Sequence, residues 1–330
     1  MKVVITGGAG FIGLNIAREL VQRNTLTGPS GQVEPISSIV LFDVTVPSVR
    51  PHGLDERVEL IAGDISDAET VRSLIDQDDI SVFHLASVVS GQGELDFDLA
   101  MSVNLDGARN ILEAARARNG TPKVIFASSV AVFGGRDMPK ILSDTSKQTS
   151  QTTYGITKTI GELLVNDYTR KGFIDGRTAR LPTIFIRPGK PNAAASSFCS
   201  GVFREPLNGV PCVLPVQKDV VMPLLGYRRC VESFIALHEV ESDLLGDDRA
   251  INLRNRSYSV AEMIDAVTRV AATNDIQLAD ITVSPDPDIE EIVNGWAAYL
   301  NSTRAEELGL PIDDSLDQAV QDFIDDFMNV

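Results

Sequence analysis

Apolar, β-branched runs alternate with amphipathic stretches through the first 180 residues, which predicts a parallel sheet covered by crossover helices. The predicted strands are Lys2–Thr6, Ser38–Asp43, Arg57–Ile61, Ile80–Leu85, Lys123–Ser128 and Thr178–Leu181. Helices are predicted near Phe11–Arg23, Ala68–Gln77, Met101–Arg118 and Tyr154–Arg170, where apolar residues recur three and four apart. The architecture is therefore a doubly wound α/β fold. The Gly-, Pro-, Ser- and Thr-rich stretch Asn24–Ser37 reads as a surface loop.

After Leu181 the pattern changes. Pro- and Gly-punctuated irregular chain runs to Gly226, followed by shorter helical stretches at Arg228–Glu239, Val260–Ala272 and Asp317–Met328. The expected division is a first domain over 1–181 and a smaller C-terminal α/β domain over 182–330, part of which returns to the first sheet. The acidic end (Asp313, Asp314, Asp317, Asp322, Asp325, Asp326) is interleaved with apolar residues at helical spacing and is expected to be a solvated helix face.

Composition narrows the partners. With 330 residues, 43% hydrophobic and 23% charged, the chain has an ordinary globular make-up. Met1–Thr6 already reads as a strand, which leaves no room for a secretory leader, and no apolar run approaches the ~18–20 residues of a membrane span; a cytoplasmic protein is expected. The net charge of −17 argues against nucleic acid and anionic membrane as partners. Cys199, Cys212 and Cys230 are too scattered for a disulfide framework and read as small buried hydrophobes. His52, His84 and His238 lack ligand spacing, so no metal is expected. Against the acidic background, Arg177, Arg180, Arg187, Lys190 and Arg204 form a local basic island, which suits either a small anion or solvated surface.

Thr6-Gly7-Gly8-Ala9-Gly10-Phe11-Ile12-Gly13 follows a strand and opens a helix, the setting that gives a glycine fingerprint meaning. Gly7 allows the turn, Gly10 lets backbone approach a pyrophosphate, Gly13 lets helix and strand pack, and the phosphates sit on the helix N-terminus. Asp43, ending the second strand, suits ribose hydroxyls and repels a 2′-phosphate, so NAD is favoured over NADP. Asp64, at the end of the third strand, either bonds the adenine or caps the next helix.

Tyr154-Gly155-Ile156-Thr157-Lys158 puts a phenol and an amine on one helix face. An ammonium there is expected to lower the phenol pKa toward that of a useful general base. Ser128-Ser129 ends the fifth strand at the carboxyl edge of the sheet, where α/β ligands bind. With the fingerprint, Asp43, His84-Leu85-Ala86 and Asn104-Leu105-Asp106-Gly107 in order, the whole chain resembles the extended short-chain dehydrogenase/reductase family, which includes NAD-dependent epimerases and dehydratases and has the Rossmann fold.

The resemblance implies Ser129 as the catalytic hydroxyl, Tyr154 as acid/base, Lys158 as modulator and ribose ligand, and Asn104 as a supporting helix residue, though local backbone bonding explains Asn104 as well. It implies cofactor contacts from Gly7, Gly10, Phe11, Ile12, Gly13, Asp43, Asp64, Ile65, Leu85, Ala86, Ser87, Ser128, Tyr154, Lys158, Pro182 and Thr183. Most extended members act on nucleotide-sugars. Here Phe133 replaces a tyrosine common after the serine motif, and Leu181-Pro182-Thr183 replaces the segment with which many epimerases approach the sugar.

Together with Val88-Val89-Ser90-Gly91 and Arg187-Pro188-Gly189-Lys190-Pro191-Asn192, these features resemble a branch that oxidises the C2 hydroxyl of a four-carbon sugar acid. That implies an anionic sugar acid as partner, with Arg187 or Lys190 on its carboxylate, Asn192 and Ser90 on hydroxyls, and Ser129, Phe133 and Tyr154 around it. The rival readings are a nucleotide-sugar epimerase or dehydratase that retains NAD, and an NAD-sensing regulator, which would not need Ser, Tyr and Lys together. Dimers of this family commonly form through the helices that here are Met101–Arg118 and Tyr154–Arg170, so a homodimer is expected.

Overall fold

The computed structural model describes residues 1–191 and 194–328. Seven parallel strands form the main sheet in the order Ala250–Asn252, Asp175–Leu181, Lys123–Ser129, Ile80–His84, Lys2–Thr6, Ser38–Asp43, Val58–Ala62. Lys2–Thr6 lies between the Ser38–Asp43 and Ile80–His84 strands, so the chain reverses direction across the sheet beside the first strand. In open α/β sheets ligands bind at such a point, beyond the carboxyl ends of the strands.

Buried on both faces, the central strands Lys2–Thr6, Ser38–Asp43, Ile80–His84 and Lys123–Ser129 are rich in Val, Ile and Phe. One apolar cluster packs Ile16, Ala17 and Leu20 of helix Phe11–Arg23 and Phe234 and Leu237 of helix Tyr227–Glu239 on one face. Another packs Ile111, Leu112 and Ala115 of helix Gly107–Arg116 and Val165 of helix Thr153–Arg170 on the other. The C-terminal strand Ala250–Asn252 joins the edge of this sheet, pairing Ile251 with Ala179.

A separate core gathers Phe185, Phe198, Phe203, Leu224, Met263, Val267 and Phe323. Around it stand a sheet of Thr183–Phe185, Val221–Gly226 and Arg256–Ser259 and a pair formed by Cys212–Leu214 and Ile281–Val283. Helix Phe198–Leu207 lies in the stretch expected to be irregular. Nine of its ten residues are buried, so it lacks a polar face to betray its period, and Pro206 sits inside it. Asn24–Ser37 is not plain loop either: Thr25–Thr27 and Val33–Pro35 form an antiparallel hairpin.

The acidic C-terminal helix, Leu316–Phe327, departs from a simple solvated face. Asp322 is buried and pairs with Arg228 at 2.7 Å, and Asp326 takes a second arm of the same guanidinium at 2.7 Å. Asp313, also buried, accepts the Gly226 N–H at 2.7 Å. The three cysteines are free and buried. Among the described residues no helix is long and apolar enough to cross a membrane.

Candidate active site

At the reversal point Gly7 takes a φ of +66°, which a side chain would strain. A Cβ on Gly7 would lie 2.9 Å from the Ala86 nitrogen, and one on Gly13 would lie 2.5 Å from the Gly7 carbonyl oxygen. Loop, helix and the Leu85–Ala86 segment thus pack backbone to backbone. Gly10 starts helix Phe11–Arg23 and no side chain caps its first turn, so the positive end of the helix faces outward for an anion. The Phe11 ring turns away, 5.1 Å from that of Tyr227, and Ile12 packs on the core. Asp43 closes over the loop: Oδ2 accepts the Ala9 N–H at 3.1 Å and Oδ1 the Val44 N–H at 2.8 Å.

Asp64 does not cap the next helix. Its Oδ1 accepts the Ser66 N–H and hydroxyl, while Asp67 caps helix Ala68–Leu74. Ile65 is buried against Gly107, and its carbonyl accepts from Asn110 Nδ2 at 3.1 Å. Leu85 and Ala86 are tied to the first strand, donating from their N–H groups to Thr6 O at 3.1 Å and Thr6 Oγ1 at 3.2 Å.

Asn104 lies in a π-helical turn, Met101–Asp106, a distortion that often marks functional sites. Its Oδ1 accepts from Val88 N at 2.7 Å and Ser87 Oγ at 3.1 Å. Its Nδ2 donates to Val88 O at 3.0 Å and Thr157 Oγ1 at 3.3 Å. Asn104 therefore joins the segment lining the cofactor side to the helix carrying Tyr154 and Lys158.

That helix, Thr153–Arg170, is capped by Thr152 Oγ1 on Gly155 N–H at 3.1 Å. Its buried face is Gly155, Thr157, Lys158, Gly161, Glu162 and Val165. A Cβ on Gly155 would stand 2.0 Å from Ala131 O, and one on Gly161 2.5 Å from the Phe126 ring. The two glycines let the helix press onto the strand that ends in Ser129. Nothing in the Tyr-x-x-x-Lys spacing singles them out.

The Ser129 hydroxyl is near enough to the Tyr154 hydroxyl to favour its phenolate, and the Ser129 oxygen accepts the Ala131 N–H at 3.2 Å. Lys158 is buried; its ammonium donates to Ala127 O at 2.7 Å and lies 4.9 Å from the Phe126 ring centre and 5.5 Å from that of Tyr154. The expected lowering of the phenol pKa is not present in the protein alone. Burial pushes the Tyr154 phenol up, opposed by the neighbouring Ser129 hydroxyl. Burial also pushes Lys158 down to about 7, against the pull of the Glu162 carboxylate.

Other expectations need correcting. The Ser128 hydroxyl donates to Glu162, so its side chain turns from the cofactor cleft into the fold. Phe133 is buried with Val132, Leu142, Ala297 and Leu300, its ring 5.3 Å from the Arg180 guanidinium, so it is core and not a substrate wall. The basic island is not one surface. Arg177 pairs with Asp175, Arg180 with Glu162, and Arg204 with Glu205.

What remains of the island is Arg187, half-buried and without an ion pair among the described residues, and the exposed Lys190. Arg187 N donates to Ser200 Oγ at 3.1 Å, and Arg204 holds the Arg187 carbonyl at 2.8 Å. Pro182 is buried and Thr183 opens a strand pairing with Leu224, so this segment leads from the sheet edge into the second core. Ser90 is partly buried at the start of helix Ser90–Leu95. Asn192 lies outside the described residues.

The sheet order, glycine cradle and Ser–Tyr–Lys cluster define a dinucleotide-dependent oxidoreductase fold, and residues 3–247 match the NAD dependent epimerase/dehydratase family. The chain belongs to that family. It is 47% identical to D-erythronate dehydrogenase of Cupriavidus necator over 99% of this chain and 98% of that protein. It is 39% identical to D-erythronate dehydrogenase of Haemophilus influenzae over 98% of this chain and 99% of that one. A solved structure described as the nucleoside-diphosphate-sugar epimerase from Agrobacterium tumefaciens superposes with a TM-score of 0.90 at 36% identity, covering 99% of this chain and 94% of that one. The residues present fit NAD: the uncapped helix end and the Gly7–Gly13 cradle, with no room for a Cβ, suit a pyrophosphate, and Asp43 suits ribose hydroxyls.

Proposed function

We propose that the protein is a D-erythronate dehydrogenase, oxidising the C2 hydroxyl to the 2-oxo acid in the cytoplasm. The end-to-end likeness to two enzymes of that name carries the reading. It is supported by a chain in which Ser129, Tyr154 and Lys158 converge.

NAD, when bound, supplies the hydride acceptor. Tyr154 takes the C2 hydroxyl proton as phenolate and Ser129 holds the same oxygen. Lys158, its ammonium 5.5 Å from the Tyr154 ring, favours the phenolate by its charge. Asp43 takes the adenosine ribose, and Gly10, Phe11, Ile12 and Gly13 offer backbone to the pyrophosphate. Arg187 grips the substrate carboxylate. Burial and the neighbouring Arg204 charge both disfavour its lone cation, so a bidentate anion relieves it. Lys190 and Ser90 complete the acid's surroundings.

The assay follows NADH absorbance with NAD and D-erythronate, L-threonate or other short sugar acids, with UDP-sugars analysed for isomerised product in parallel. NADH with D-erythronate is the expected result. Isomerised UDP-sugar without NADH from any acid would instead establish the epimerase reading, which the description of the Agrobacterium structure favours. Ile156 and Leu163 stand 47% and 58% exposed on the outer face of the Tyr154 helix, and we assign that face to a homodimer. Light scattering should return twice the chain mass.

A further inference from the structure

Behind the catalytic helix lies a buried polar cluster that the reaction does not directly use. Glu162 and Arg180 have side chains only 2% and 4% exposed. Arg180 Nε lies 2.9 and 3.0 Å from the two carboxylate oxygens, and Nη2 lies 2.6 Å from Oε2. Glu162 also accepts from Ser128 Oγ and Gln148 Nε2, while Arg180 Nη1 donates to Asp144 O at 2.8 Å. Asp144 in turn accepts the Asn252 N–H at 2.6 Å.

The ends of this cluster are placed with economy. Glu162 is one helical turn beyond Lys158 and two beyond Tyr154, on the same buried face. Ser128 immediately precedes Ser129. Arg180 is two residues before Pro182, where the chain leaves the sheet toward Arg187. One carboxylate thus binds the strand of Ser129, the helix of Tyr154 and Lys158, and the strand leading to the substrate segment.

We infer that Glu162 is a positioning residue for the reaction: paired with Arg180 it fixes Ser129 against Tyr154, and its carboxylate, one helical turn from Lys158, favours the ammonium form of that buried lysine. The inference rests on the assignment of Ser129, Tyr154 and Lys158 as the reacting set. The groups facing Lys158 are Tyr154 and Glu162 on its own helix, the Ala127 carbonyl and Phe126 ring of the Lys123–Ser129 strand, and His84 of the Ile80–His84 strand. Burial holds His84 at about 3, so it is neutral at working pH, and its Nδ1 lies on Thr6 Oγ1 at 2.7 Å. Asn104 of the π-turn is neutral. Glu162 is therefore the carboxylate that opposes the desolvation of Lys158.

The test is Glu162→Gln, which keeps the shape but removes the charge and one of the two accepting oxygens. Lysine-selective 13C NMR titration, with Lys158 assigned through Lys158→Met, should show its midpoint falling by about one pH unit or more. In NAD-dependent oxidation of D-erythronate, kcat should fall about 10- to 100-fold at pH 8, with KM within about threefold. The loss should shrink as pH is lowered and the ammonium is restored, and Glu162→Asp should recover part of it. If the unpaired Arg180 prevents folding, the Glu162→Gln/Arg180→Gln pair, which leaves no lone charge, should show a midpoint displaced in the same direction by a smaller amount, because a cation is lost with the carboxylate. An unchanged midpoint, or a loss equal at every pH, would overturn the inference. A wild-type protein without turnover on D-erythronate would defeat the substrate assignment instead, and the NMR midpoint would still decide the role of Glu162.

Discussion

Around Ser129, Tyr154 and Lys158 buried polar side chains are held from behind by backbone and by other side chains: Asn104 on the Val88 backbone and Thr157, Glu162 on Ser128 and Arg180, Lys158 on the Ala127 carbonyl. Beyond Phe185 and Ile186, which are buried in the second core, the chain to Lys190 is held through Arg187 N on Ser200 and Arg204 on Arg187 O, with exposure rising toward Lys190. The first region fixes angles and protonation, which a hydride-transfer site shares whatever its substrate. The second presents a cation on a lightly tethered segment, which suits choosing among acids.

The sharpest way to break this contrast is Tyr154→Phe. It should lower kcat by about 10²- to 10⁴-fold while a fluorescence titration shows NAD still bound, because only the proton acceptor is removed. Near-normal turnover would mean the rigid region is scaffold alone. Arg187→Ala should act on the other side, cutting kcat/KM for D-erythronate by about 10- to 100-fold through loss of a charge-assisted contact, with NAD affinity unchanged. An unaltered kcat/KM would move the carboxylate site to Lys190 or elsewhere.

The smallest effects are in stability and have opposite sign in the two halves. His84 in the main sheet is depressed to about 3 from 6.5, so its contribution is full above pH 6.5 and is lost as pH falls toward 3. Asp313, beside Gly226 in the second half, is raised to about 6 from 3.8, so its contribution is present below 3.8 and lost as pH rises through 6. His84→Gln should flatten the drop in Tm below pH 6.5. Asp313→Asn should raise Tm by about 2–4 °C above pH 6 and change little below pH 4. Equal slopes in wild type and both variants would show that neither group carries the dependence.

The sheet and cofactor cradle were legible in the sequence because they depend on local devices: apolar runs of strand length, a glycine turn with no space for a Cβ, and an acidic residue ending Ser38–Asp43. Ser129, Tyr154 and Lys158 were legible by type and order. What escaped was contact between distant segments. Arg177, Arg180 and Arg204 looked like one island because neighbours in sequence were counted together, whereas alternation along a strand and packing in helix Phe198–Leu207 send each to a different acid. Phe133 follows the serine motif, yet the short helix Val130–Val132 carries it into a core closed by the nearby Leu142 and by Ala297 and Leu300 from far along the chain. Glu162 repeats the spacing of Tyr154 and Lys158 one turn on, a signal present in the sequence whose meaning needed Ser128 and Arg180 beside it.

Gly155 and Gly161 leave the Tyr154 helix no spacer against Ala131 and Phe126. For anyone altering this enzyme's preference, that closes one route and opens another. Substitutions meant to slide or roll the helix toward a bulkier substrate meet backbone at once, so libraries directed there should yield mostly unfolded proteins. Diversity placed after Pro182 can change which acid is accepted while leaving the proton-handling geometry untouched.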